Sequence, residues 1–217
     1  MPKKTLIASS MLAALAVALP ALAGPPLVCH PFEIGSAQSL PWGRSDNFMG
    51  MRDDYDFRHV VADTGKLLTV AMPTLVRMET LRRASIYASR DRAIAEQLLV
   101  LLMGRVQAAD QAGHYDALAL FDGGYVVEAL RELELFGPHM KTFAGLDRVL
   151  AGVTQPYDGL SMLRRSADLR PGDASIQFAL ALLSPSRESS SYLTQAQSGA
   201  KQDELLASNL ARLQLLQ

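Results

Sequence analysis

Tyr157 to Leu183, YDGLSMLRRSADLRPGDASIQFALALL, reads as a helix, a tight turn and a second helix. Leu160, Leu163, Ala167 and Leu169 recur near helical spacing, with Arg164, Arg165, Asp168 and Arg170 largely on the other side. Pro171 disfavours helix at Arg170, Gly172 permits a positive φ, and Asp173 supplies an acceptor for the first free N–H groups of the next helix. Ile176, Ala179, Leu180 and Leu183 give that helix its apolar stripe. Two amphipathic helices joined by so short a turn are expected to lie antiparallel, and the pair still leaves an apolar face for a neighbouring hairpin to cover.

The run Ser166-Ala167-Asp168-Leu169-Arg170-Pro171-Gly172-Asp173-Ala174, followed by Ala179-Leu180-Ala181, resembles the junction between consecutive tetratricopeptide repeats. Gln177 stands where that family favours a large aromatic, and Ser184 where it favours a tyrosine. The resemblance implies an all-α fold of stacked antiparallel helical hairpins, an α-solenoid whose concave surface binds a protein or peptide. Tyr115-Asp116-Ala117-Leu118 is echoed by Tyr157-Asp158-Gly159-Leu160, a period that suits a pair of helices and exceeds the ~34 residues of a tetratricopeptide unit.

Outward from this stretch, the N-terminus carries Lys3 and Lys4, an uncharged apolar run from Leu6 to Leu19, and the small residues Ala21 and Ala23 flanking Leu22. These are the parts of a secretory signal peptide over residues 1–23, with a mature chain starting at Gly24 and a periplasmic or secreted destination. The run is shorter than the ~20 residues that span a bilayer, so no membrane span is expected. The whole chain of 217 residues has a net charge of −1, which offers no basic footprint for nucleic acid.

Residues 24–52 are broken by Pro25, Pro26, Pro31 and Pro41 and by several glycines, which excludes a long helix or regular strand. Leu27, Val28, Phe32, Ile34, Leu40, Trp42 and Phe48 make this an apolar extended arm, expected to lie against the helices. The Leu27-Val28-Cys29-His30-Pro31-Phe32 run resembles the mature start of exported bacterial proteins of unknown function.

Residues 53–217 form the helical-repeat domain. The first helix is expected within Tyr55 to Leu68, and a second from Thr74, as N-cap, with Leu75, Met78, Leu81, Ala84 and Ala88 as its stripe. Arg77, Arg82, Arg83 and Arg90 are assigned to the remaining surface, with Glu79 pairing to Arg82 or Arg83 on a solvated face. Asp91 caps a third helix with Ile94, Leu98, Leu102, Val106 and Ala109 on its buried face. Leu99, Val100, Leu101 and Met103 widen that face, which predicts that this helix is covered on more than one side and forms the centre of the core. A fourth helix runs from His114-Tyr115-Asp116 toward Gly137, and Gly123 and Gly124 inside it call for close packing. A serine-rich helix follows Pro185, and Leu205, Leu206, Leu210, Leu213 and Leu216 stripe the last one, which caps the stack.

Zinc-protease, G-x-S-x-G, dinucleotide and P-loop signatures are absent from the sequence. The leading expectation is an exported, non-catalytic module that binds a protein or peptide and carries no cofactor. The alternative is a thiol- or metal-dependent site built around Cys29, the only cysteine, and His30.

Overall fold

In the computed structural model, residues 27–43, 50–139, 141–184 and 186–214 are described. The signal-peptide reading of 1–23, Phe48 of the arm, Pro185 and Leu216 lie outside them. Among the described residues the chain is all-helical: α1 Val60–Leu67, α2 Thr74–Ala88, α3 Arg92–Gln111, α4 Ala117–Phe136, α5 Leu146–Val149, α6 Gly159–Leu169, α7 Ala174–Leu183, α8 Ser186–Gly199 and α9 Glu204–Gln214. None of the described helices is long and apolar enough to cross a membrane.

Aspartates set the starts of five of these helices, Asp203 at α9 by accepting from the Leu206 N–H group. Asp91 accepts from the Ala93 and Ile94 N–H groups, Asp116 from Leu118 and Ala119, Asp158 from Ser161, and Asp173 from Ile176. Asp116 and Asp158 occupy equivalent places in the Tyr-Asp echo, so the echo marks two helix starts. Thr74 departs from expectation. Pro73 is the N-cap of α2, and the Thr74 hydroxyl instead donates to Asp173 at 2.6 Å, tying α2 to the α6–α7 turn.

The centre of the core is α2 and α4 rather than α3. Every residue of α2 except Arg83 is buried, and α4 packs on α2, α3, α5 and α6. On α3, Leu98, Leu99 and Leu102 are buried as expected and the helix packs on α1, α2 and α4, yet Val100 is 69% exposed, so one face stays uncovered. The glycine pair explains why α4 takes the central place. A methyl group at Gly124 would lie 2.7 Å from the Gly159 carbonyl oxygen, and one at Gly123 would lie 2.8 Å from the Met162 methyl. Bare Cα atoms thus let α6 cross α4 at close range, and α4 continues unbroken through both. The α6 and α7 helices pack on each other across the Pro171-Gly172 turn, α7 packs on α8, and α9 lies beside α8.

The arm is docked. Leu27, Val28, Phe32 and Leu40 are buried in the same cluster as the helix stripes, Phe32 meets Phe178 edge-on, and Trp42 meets Tyr87 likewise. Its first described residues, Leu27–Cys29, make a single 3₁₀ turn.

Candidate functional site

An extended segment without a partner strand must satisfy its N–H and C=O groups elsewhere, and here side chains of α2, α4 and α9 supply the partners. Glu132 of α4 accepts from the Leu27 and Val28 N–H groups at 3.1 and 3.2 Å. Glu79 of α2 accepts from Phe32 N–H at 3.0 Å. Arg82 donates to the Val28 carbonyl at 3.0 Å and Arg83 to the Leu40 carbonyl at 2.7 Å. Asn209 of α9 both accepts from Glu33 N–H and donates to its carbonyl. Tyr87 donates to the Pro41 carbonyl, and both guanidiniums stand over the Trp42 ring at 4.9 and 5.7 Å.

These contacts correct the surface placement of the arginines. Arg82 is fully buried and chelates both oxygens of Glu79, at 2.7 and 2.9 Å, while Arg83 adds a bond at 2.6 Å. The pairing at three- and four-residue spacing is as expected, but the face is covered by the arm instead of by water. Arg77 is also buried, with Asp122 at 2.7 Å. Burial pushes the Asp122 carboxyl up to about 6, and Arg77 pulls the other way without cancelling it. Burial likewise pushes Glu132 up to about 7, against the two N–H groups that it accepts.

Cys29 and His30 sit half-buried on the clamped arm. Burial, and then the Glu132 charge, push the Cys29 thiol up to about 11, with Arg82 opposing; burial, then Arg82, lower the His30 pKa. The free thiol is therefore protonated at neutral pH, the unreactive form of a nucleophile. Among the described residues, no group of three or more His, Cys, Asp or Glu side chains is placed to hold a metal ion.

The second feature is a groove of about 620 Å³ flanked by α3 and α6. Val100, Met103, Gly104, Val106, Gln107 and Asp110 form its α3 wall. Tyr115 and Leu120, at the start of α4, and Tyr157 and Met162, at the start of α6, form the other. Val100 is 69% and Tyr115 59% exposed, although both are large and apolar in body, and Arg165 stacks on Tyr115 at 4.8 Å. Of the α3 residues expected to be covered, Leu99 is buried, while Val100, Met103 and Val106 line this opening. Two neighbouring stretches, 100–110 and 115–120, and a distant one, 157–162, build it, and only the surplus of apolar residues on α3 marks it beforehand. No family model, curated protein or solved structure matches this chain.

Proposed function

We propose that the chain is an exported, tetratricopeptide-like scaffold of antiparallel helical hairpins that binds a protein or peptide in the α3–α6 groove and catalyses no reaction. The groove carries this reading. It is lined mainly by apolar and aromatic side chains, the composition that water leaves most readily when a partner covers it. The buried charges, by contrast, are already engaged: Glu79, Glu132 and Arg82 hold the arm, and Arg77 pairs with Asp122. Export is supported by Lys3-Lys4, the apolar run to Leu19 and Ala21-Leu22-Ala23. The role needs no cofactor, and the near-neutral net charge gives nucleic acid no hold. The thiol or metal reading at Cys29 and His30 has less behind it: burial holds the free thiol protonated, and among the described residues no third His, Cys, Asp or Glu is placed with the pair to hold a metal ion.

The test is size-exclusion chromatography of the exported fraction from the producing cell. The native chain is expected to elute ahead of the purified protein, in a complex. Val100→Asp, on an exposed position where substitution costs little stability, should elute with the purified protein. Elution of both chains at the purified position, or of both in the complex, would overturn the reading.

A further inference from the structure

The leucine stripe of α9 is interrupted by an amide. Leu206, Asn209, Leu210 and Leu213 fall three and four residues apart on one face of the helix, and all four are buried, Asn209 with only 4% of its surface exposed. A buried amide needs partners. Nδ2 of Asn209 donates to the Leu205 carbonyl of its own helix at 2.8 Å and to the Glu33 carbonyl of the arm at 2.9 Å, and Oδ1 accepts from the Glu33 N–H at 2.8 Å. Two of these three hydrogen bonds thus come from one arm residue, in the paired N–H and C=O pattern that a neighbouring strand would offer. One turn on, Arg212 reaches the Glu33 carboxylate at 3.4 Å.

The principal helical neighbours of α9 are α8 and the 3₁₀ turn Ala200–Gln202, both immediately ahead of it in sequence. The arm ties it to the earlier helices. Phe32, beside Glu33, donates its N–H to Glu79 of α2 and sets its ring edge-on to Phe178 of α7 at 5.9 Å between centroids. Through the Phe32-Glu33 dipeptide, the C-terminal helix is held to α2 and α7.

Lifting the arm alone would leave Oδ1 and one Nδ2–H of Asn209 without partners inside a leucine face, which disfavours that state about tenfold or more against a joint opening. Lifting α9 alone would remove the middle anchor of the arm, which lies between the Glu79 bond at Phe32 and the Arg83 bond at Leu40. A joint opening strands neither. The body beneath does not need either segment to hold together, because α2, α3 and α6 all pack on α4. We propose that the arm and α9 form a clasp, which ties the two ends of the chain to the helical body and opens as one unit while α2 and α4 stay folded. Opening takes the cover from Glu79, Arg82 and Phe178, so the charged face of α2 meets water only when the clasp is open.

Hydrogen exchange of the full mature chain, followed by mass spectrometry over residues 27–43, 117–136 and 204–214, tests this. In the parent protein the arm and α9 should share one opening equilibrium, within about threefold, and α4 should be protected at least about tenfold further. Phe32→Ala removes the contact with Phe178 and leaves Asn209 in place. Exchange over 27–43 and over 204–214 should then rise by one common factor, about tenfold or more, with α4 unchanged. Asn209→Ala, a smaller truncation, makes the reciprocal test, and the arm should again accelerate together with α9. Acceleration of the arm alone in Phe32→Ala, or of α9 alone in Asn209→Ala, would show two independent segments and overturn the clasp. Equal acceleration of α4 would make the opening global and overturn it too, as would unchanged exchange in both variants.

Discussion

The same substitution at two glycines should have opposite signs. Glycine to alanine inside a helix gains ~1 kcal/mol from propensity alone. At Gly104 nothing opposes that gain, because the new methyl group meets open space. At Gly124 it would lie 2.7 Å from the Gly159 carbonyl oxygen, 3.0 Å from Leu163 Cγ and 3.1 Å from Met162 Cβ. The nearest obstacle is backbone, which yields only if α6 moves as a unit away from α4. Overpacking of a filled core costs ~1–3 kcal/mol, and a rigid obstacle places this case at the upper end. Gly124→Ala should therefore lose about 1–2 kcal/mol net, while Gly104→Ala gains up to about 1 kcal/mol. Urea unfolding followed by far-UV circular dichroism reads both from the midpoints. A Gly124→Ala protein as stable as Gly104→Ala would refute the close crossing of α4 and α6, and with it the geometry of the groove wall.

Two further outcomes follow from the buried charges. The folded-state values of Glu132, about 7, and Asp122, about 6, lie above their ordinary values of 4.5 and 3.8. A raised carboxyl contributes its stability fully below the unfolded value and loses it as pH rises through the folded value, so stability should fall from about pH 4 to about pH 8. At ~1.4 kcal/mol per unit, each group accounts for roughly 3 kcal/mol of that fall. Denaturation midpoints across this range check it; Glu132→Gln should flatten the slope, and a midpoint that rises with pH would contradict it. Glu79→Ala strands the fully buried Arg82 and should cost ~3–5 kcal/mol, with Trp42 emission shifting to the red as the arm loosens. A loss within ~0.5 kcal/mol would return the pair to the solvated surface.

Much of the helical order was legible because its signals are local. Asp91, Asp116, Asp158 and Asp173 each precede an apolar stripe by the spacing that an N-cap requires, and the prolines of the arm left room for no more than the single 3₁₀ turn at Leu27–Cys29. What lay beyond reach was which side of each helix is covered. Glu79, Arg82 and Arg83 show their pairing in the sequence, but the arm that removes water from them comes from residues 27–43, across the fold. The centre of the core was misplaced on α3 because a surplus of apolar residues there looks the same whether it faces a neighbour or a groove. The better guide was Gly123-Gly124, since a helix needs adjacent bare positions where another crosses it closely. The groove itself joins residues 100–110, 115–120 and 157–162, and no local motif spans such a set.

Whether a polypeptide docks in the α3–α6 groove is tested most directly by site-directed photocrosslinking in the producing cell. A photoreactive residue is placed at Val100 in the groove or at Val70, which is 87% exposed and does not line the groove. One dominant polypeptide adduct is expected from Val100 and absent from Val70. No adduct at Val100, or the same adducts from both positions, would contradict it.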